Sequence, residues 1–266
     1  MDERAIGIFD SGLGGLTAAR VIRALMPGEH IIYFGDSGRM PYGSRSKEEI
    51  ASMSCEIAEF LMSMNVKAML VACGTITTNA LDELRSRFPV PFFGVVDAAC
   101  TAALRASSNG RVGVIATEAS IRSGAYEKKL CSMSPDVRVT SLACPPFAAM
   151  VESGHFSRGD ETAEKTVAEV LEPLKGTDID TLLLGCTHYP LLSDIIGDCL
   201  GDDVQLISAG AEAASALEKY LRKNSMLAAP SASGGEEYYT SGDLDAFAKS
   251  AALFLGREIK PQLHVL

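Results

Sequence analysis

Short apolar runs alternate with stretches of helical periodicity from one end of this chain to the other, and no other feature constrains its fold as much. Residues 5–9 form an apolar run that breaks into Asp10-Ser11-Gly12-Leu13-Gly14-Gly15, and residues 16–26 then carry apolar side chains at helical spacing. Residues 30–35 make a second run, followed by the turn-rich loop Asp36-Ser37-Gly38-Arg39-Met40-Pro41-Tyr42-Gly43. Ser46 and Glu49 form a capping-box signature for a helix to about Asn65, because a hydroxyl and a carboxylate three residues apart can each satisfy an orphan N–H. A run ending at Cys73, a helix over 77–88 and a buried run at 91–96 follow. Apolar runs joined by helices predict a parallel sheet buried on both faces, with ligands held outside the carboxyl ends of its strands.

The pattern then restarts. Residues 111–116 open into Thr117-Glu118-Ala119-Ser120 and a helix, residues 137–142 form another run, and residues 179–185 deliver Cys186. Asp10 precedes Cys73 by 63 positions and Thr117 precedes Cys186 by 69, which reads as an approximate internal duplication. Cys144-Pro145-Pro146-Phe147 is expected as a rigid loop before a short helix over 148–153 that carries Glu152, and 160–174 as an amphipathic helix. A run at 204–207 and a helix over 211–223 precede residues 224–235, whose Ser, Ala, Gly and Pro content reads as a mobile loop. A strand at 236–240 and a helix ending near 255 most simply complete the first sheet. The predicted fold is α/β: two similar parallel-sheet domains related by pseudo-symmetry, residues 1–97 with 208–266 and residues 98–207, with the functional site in the cleft between them.

Two of the seven cysteines stand apart. Cys73 and Cys186 each end an apolar run among small polar residues, one in each half. A thiol acts as a base only as its thiolate, and a pKa near about 8.5 needs neighbouring charge or a helix N-terminus to bring it down. Each cysteine is expected just before a helix start, where backbone N–H groups and the helix dipole favour an anion. Asp10 can trade a proton with Cys73 or simply cap its helix; His188 or Glu152 can serve Cys186, although Glu152 equally suits a solvated helix face. Sheet-edge placement should bring Asp10, Ser11, Tyr42, Cys73 and Thr75 together. Cys55, Cys100, Cys131 and Cys199 lie in helical patterns and read as small buried hydrophobes. His30 and His264 read as structural or exposed. The turn at 12–15 could cradle an anion at a helix N-terminus, but it has neither the lysine of a Walker loop nor the glycine spacing of a dinucleotide fingerprint.

Composition narrows the partners. With 34 acidic against 24 scattered basic residues the net charge is −10, so neither nucleic acid nor an anionic membrane is an expected partner. No apolar run approaches the roughly 18 residues that span a bilayer, and Met1-Asp2-Glu3-Arg4 leads straight into a strand, so a cytoplasmic location is expected. Without a Cys-x-x-Cys pair, the odd cysteine count reads as reduced thiols with no metal site.

Six blocks, in order, resemble the glutamate racemases, cofactor-independent enzymes of the aspartate/glutamate racemase family. They are Gly7-Ile8-Phe9-Asp10-Ser11-Gly12-Leu13-Gly14-Gly15-Leu16, Tyr33-Phe34-Gly35-Asp36 with Pro41-Tyr42-Gly43, Val71-Ala72-Cys73, Ile121-Arg122-Ser123-Gly124-Ala125-Tyr126, Gly185-Cys186-Thr187-His188-Tyr189-Pro190 and Thr240-Ser241-Gly242-Asp243. The resemblance runs the whole chain. It implies that one cysteine thiolate removes the α-proton of glutamate while the other, as thiol, protonates the opposite face, without pyridoxal phosphate or another cofactor. Cys73 would take the proton of D-glutamate with Asp10 in support, and Cys186 that of L-glutamate with His188 and Glu152. Asp10, Ser11, Tyr42, Gly43, Gly74, Thr75, Thr117, Thr187 and His188 would hold the substrate. A homodimer that supplies D-glutamate for peptidoglycan is the further implication. Two positions depart from the family: Gly74 stands where it usually has Asn, removing a polar contact and opening the question of affinity and substrate choice, and Ser120 stands where it often has Thr. The competing readings are a racemase of aspartate or another amino acid, an impaired homologue that only binds an amino acid, and a cysteine hydrolase using Cys186 and His188, which leaves Cys73 and Asp10 without a role.

Overall fold

The computed structural model of the chain describes residues 1–229 and 232–266; of the loop expected over 224–235, Pro230 and Ser231 lie outside the described residues. The first half runs β1 (Ile6–Asp10), α1 (Leu16–Leu25), β2 (His30–Gly35), α2 (Lys47–Ser63), β3 (Ala68–Val71), α3 (Gly74–Arg87), β4 (Phe92–Gly94) and α4 (Val95–Ala106). The second runs β5 (Arg111–Ala116), α5 (Glu118–Ser123), α6 (Ala125–Met133), β6 (Arg138–Ala143), α7 (Pro145–Glu152), α8 (Glu161–Val170), β7 (Thr181–Leu184), α9 (Ser193–Leu200) and β8 (Gln205–Ser208). The chain then returns to the first sheet through α10 (Ala209–Lys223), β9 (Gly235–Thr240), α11 (Leu244–Leu255) and β10 (Gln262–Leu263).

Both sheets are parallel, with strand orders β10-β9-β2-β1-β3-β4 and β6-β5-β7-β8. Each therefore contains the same doubly wound unit, in which the first strand of a half sits between the second and the third. The carboxyl edge where the crossovers part lies between β1 and β3 in one sheet and between β5 and β7 in the other, and that is where ligands collect in such folds. Asp10 and Ser11 follow β1, Cys73 follows β3, Thr117 follows β5 and Cys186 follows β7. The α/β architecture with two similar parallel sheets agrees with the sequence reading.

Complete burial explains why the central strands β1, β3 and β7 are largely apolar. In β1, Ile6 and Ile8 face the core beneath α1 and α10, while Phe9 faces a second core beneath α2 and α3. The first of these cores is continuous with that of the second sheet, since Val112, Val114 and Leu182 belong to the same cluster as Ile8 and Leu70. Helix α10 packs on both α1 and α4 and links the two sheets across this shared core. Gly210 lies so close to Ala18 that a Cβ there would stand 3.3 Å from the Ala18 Cβ.

Local signals account for several element ends. The Ser46–Glu49 capping box is formed in both directions, and Asp160 caps α8 through the amides of Thr162 and Ala163. Four expectations need correction. The run at 91–96 is a three-residue strand whose apolar tail, from Val95, already belongs to α4. The Pro145-Pro146 pair is not a loop but the first turn of α7, where missing amide hydrogens cost nothing. The helix expected to reach 174 stops at Val170 because Pro173 cannot continue it, and a short 3-10 turn follows. Cys131, expected to be buried, is exposed on α6, and Cys199 is half-buried; Cys55 and Cys100 are core residues.

Candidate active site

The loops from both switch points enclose a cavity of about 210 Å³. Ser11, Tyr42, Gly43, Cys73, Gly74 and Thr75 wall one side of it, and Thr117, Ser120, Glu152, Cys186, Thr187 and His188 the other. Asp10 stands behind the wall, only 1 % exposed.

On the Cys73 side, the glycine-rich turn does cradle an anion, but the anion is the chain's own. The amides of Gly12 and Gly15 donate to Oδ2 of Asp10 at 3.3 and 3.1 Å, so the turn is closed to a phosphate. The other carboxyl oxygen, Oδ1, is buried without a hydrogen-bond partner among the described residues. Close packing explains the glycines as well: a Cβ on Gly15 would lie 2.7 Å from that of Asp10, and one on Gly14 would lie 2.1 Å from Oγ1 of Thr187. The turn thus seats the Asp10 side of the cleft directly against the Cys186 loop. Thr17 ties the same two segments, its hydroxyl lying 2.8 Å from the Gly14 carbonyl and 3.0 Å from that of Thr187.

The helix expected over 77–88 begins three residues earlier, so Cys73 is the N-cap residue of α3, and its sulfur lies 3.4 Å from Oγ of Ser11. The helix does not yield a thiolate there. Burial, reinforced by the Asp10 charge, outweighs Ser11 and the nearby amides and pushes the thiol up to about 12. Burial likewise raises Asp10 above the usual carboxylate range, against the pull of His188 and the Gly12 and Gly15 amides. This side holds a neutral thiol at neutral pH.

The Cys186 side is built differently. No α-helix starts at Cys186; the chain passes through a 3-10 turn, Tyr189–Leu192, before α9. Its partner is instead a side chain: Nδ1 of His188 lies 3.7 Å from Sγ, and Nε2 lies 2.9 Å from Oε1 of Glu152 at the end of α7. Burial alone would depress the imidazole pKa, but the Cys186 sulfur and the Glu152 carboxylate override it and hold His188 at about 10. Phe254 of α11 meets the ring edge-on at 5.5 Å, a contact that no local pattern in the sequence announces.

Across the cleft the two halves meet through hydroxyls and backbone. Thr75 Oγ1 lies 3.2 Å from Thr117 Oγ1, which donates to Ser120 Oγ at 3.1 Å. Gly74 touches the second half directly, for a Cβ there would lie 2.5 Å from the Gly185 carbonyl oxygen. The phenol of Tyr42 is committed to Asp36, so the loop offers the cleft its ring and backbone rather than its hydroxyl. Among the described residues that line the cavity none is Lys or Arg, which leaves hydroxyls, backbone and His188 to meet an anionic ligand.

Comparison with known proteins identifies the family and the fold. Residues 17–217 match the family described as Asp/Glu/Hydantoin racemase. The glutamate racemase of Bacillus cereus is 43% identical over 263 residues, covering 99% of this chain and 97% of its own. The crystal structure of glutamate racemase isoform RacE1 from Bacillus anthracis superposes with a TM-score of 0.94 at 39% identity, covering 100% of this chain and 99% of that one. A glutamate racemase from Francisella tularensis, solved in complex with D-glutamate, gives a TM-score of 0.90 at 34% identity, covering 100% and 98%.

Proposed function

The chain belongs to the Asp/Glu/hydantoin racemase family, and from that premise we propose that it interconverts L- and D-glutamate by passing protons between two thiols on opposite faces of the substrate. The observation that carries the reading is that Cys73 and Cys186, from two different sheets, line one cavity. In the L-to-D direction Cys186, as thiolate, takes the α-proton, while Cys73, as thiol, delivers its own proton to the opposite face of the carbanion. Cys186 ends as thiol and Cys73 as thiolate, which is the state that runs the reverse reaction. His188 holds or passes the Cys186 proton, Glu152 keeps that imidazole charged, and Asp10 serves Cys73 from behind.

Ser11, Thr75, Thr117 and Thr187, with the backbone at Tyr42 and Gly43, hold the two carboxylates, and His188 supplies a cationic side chain beside them. Fixed donors in a cleft between two sheets are what an unstabilised carbanion requires. The natural role of such an activity is to supply D-glutamate for peptidoglycan, in a homodimeric cytoplasmic enzyme; among the described residues no helix is long and apolar enough to cross a membrane.

The line Cys186–His188–Glu152 also has the form of a hydrolase triad, which gives that alternative a specific basis. Incubation of the purified protein with L-glutamate in D2O, with no cofactor added, separates the readings. Racemization predicts D-glutamate carrying α-deuterium, and absence of exchange from both enantiomers would sink it. A panel of other amino acids in the same assay tests the substrate, and an acyl-enzyme seen by mass spectrometry would support the triad.

A further inference from the structure

Asp36 is a fully buried carboxylate that does not itself line the cavity. It follows β2, and its amide extends the ladder by donating to the Asp10 carbonyl at 3.1 Å. Its Oδ2 accepts from Nε of Arg39 at 2.7 Å and from the phenol of Tyr42. Its Oδ1 accepts from the hydroxyl of Ser241, which lies in the turn after β9, 205 positions away. Three donors on one buried carboxylate are a built arrangement, since an ion of this kind survives burial only when its oxygens are paired.

The Ser241 hydroxyl is used in both senses. It donates to Asp36 and accepts from the Gly38 amide at 3.0 Å. Around it the two turns interlock: Ser37 Oγ lies 2.7 Å from Thr240 Oγ1, a Cβ on Gly38 would lie 2.7 Å from the Ser241 carbonyl, and one on Gly242 would lie 2.4 Å from Ser37 Oγ. On the far side, Arg39 pairs with Glu56 of α2, and Arg45 donates to the Arg39 carbonyl at 2.8 Å. The loop carrying Tyr42 and Gly43 is therefore clamped at its start through Asp36, and the clamp's third jaw is a serine from the C-terminal segment.

We propose that Ser241 is a positioning residue for the substrate: by holding Asp36 and the Gly38 amide it fixes the carboxylate that in turn fixes Tyr42, and so sets how the 40–43 loop meets the substrate. The proposal rests on the reading that this loop contacts glutamate. It gives the Thr240-Ser241-Gly242-Asp243 block, which reaches none of the cavity, a part in binding. Loss of the hydroxyl leaves a buried carboxylate oxygen unpaired, and the cheapest remedy is for the loop to move until water reaches it.

Ser241→Ala is the first test. The KM for either enantiomer should rise about tenfold, the scale of one lost hydrogen bond to a charged group, while kcat stays within about twofold. Trypsin should cut the native variant faster after Arg39 and Arg45 than the wild type, with other sites unaffected, and Ser241→Thr, which keeps the hydroxyl, should restore both readouts. Tyr42→Phe severs the same link at the loop end, so its effect and that of Ser241→Ala should combine to less than their sum. Unchanged KM and unchanged cleavage in Ser241→Ala would overturn the proposal, as would additive effects in the double variant or cleavage accelerated throughout the chain. If Ser241→Ala does not fold, Tyr42→Phe alone carries the same two readouts. A wild type that fails to racemize glutamate refutes the functional reading instead, and the cleavage pattern still reports the clamp.

Discussion

The two halves of the cleft repeat one strand order and place a cysteine two residues past the third strand, yet they prepare their thiols in opposite ways. Cys73 is set among a hydroxyl, helix amides and a buried acid, and its thiol is held up at about 12. Cys186 faces an imidazole that, against burial, is held at about 10 by the Cys186 sulfur itself and by a carboxylate on its far side. A doubly wound sheet edge can deliver a side chain, but it does not decide that side chain's protonation; the neighbours contributed by other elements do. Here a Cys73 whose thiol is raised by burial faces a Cys186 beside the raised imidazole of His188, an asymmetry that the proposed removal of a proton from L-glutamate would use.

The difference is broken most completely by removing either sulfur. Cys73→Ser and Cys186→Ser should each lower kcat for racemization by at least about 10³-fold, because a hydroxyl is far too weak an acid and base to replace a thiol there. The halves should nevertheless remain separable. In D2O, Cys73→Ser should still exchange the α-proton of L-glutamate without inverting it, and Cys186→Ser should do so only with D-glutamate. Full turnover by either variant would end the two-thiol scheme. Enantiomers have equal free energy in water, so kcat/KM stays equal in the two directions for every variant, and asymmetry must be sought in kcat, KM and exchange.

A smaller loss is expected when the Cys186 side is made to resemble the other. Glu152→Gln removes the carboxylate that helps hold His188 charged, and kcat should fall about 10²-fold. The alkaline limb of the kcat profile should also move down from about pH 10. Stability carries the same signature. The contribution of a His188 pKa raised above its unfolded value is complete below about pH 6.5 and declines as the pH rises towards 10, so the wild type's advantage over Glu152→Gln in urea unfolding should shrink across that window. On the other side Asp10→Asn should let the Cys73 thiol react with iodoacetamide at lower pH, since it removes the charge that adds to burial. An alkylation profile that does not move would detach Asp10 from Cys73.

How much of this could be read from the chain depended on whether the signal was local. The strands ending at Cys73 and Cys186 were legible because an apolar run stopping among Thr and Gly is a local pattern, and the repeat of that pattern disclosed the second sheet. Helix α4 was not, because the apolar run at 92–96 passes from strand to helix without a polar break. The proline pair at 145–146 read as a loop when it was a helix start, and so the expected helix bearing Glu152 began three residues late. The contact of Glu152 with His188 joins positions 36 apart, and that of Ser241 with Asp36 joins positions 205 apart. Neither spacing has a periodic signature. The glycines of the first turn were visible, but their reason lay in Thr187 and Ala72, which only the folded chain brings against them.

The least effect, and the sharpest question about how the halves meet, belongs to Gly74. Its sequence reading was a missing polar contact, but the structure has no room for a side chain there without movement. A Cβ would lie 2.5 Å from the Gly185 carbonyl oxygen, and that carbonyl cannot easily retreat, since the Tyr126 phenol holds it at 3.2 Å and the Gly185 amide is bonded to the Ile115 carbonyl at 2.8 Å. The start of α3 must give way instead, and it carries Cys73. Gly74→Ala should therefore lower kcat by up to about tenfold through a wider gap between the thiols, with KM little changed. Because alanine favours a helix over glycine by about 1 kcal/mol, the melting temperature should not fall in step, which separates misplacement from unfolding. The α-deuterium isotope effect on kcat should rise as proton transfer becomes slower. If Gly74→Asn instead tightens glutamate binding severalfold with kcat intact, the position is a lost contact after all, and the close approach of the two halves is incidental to the chemistry.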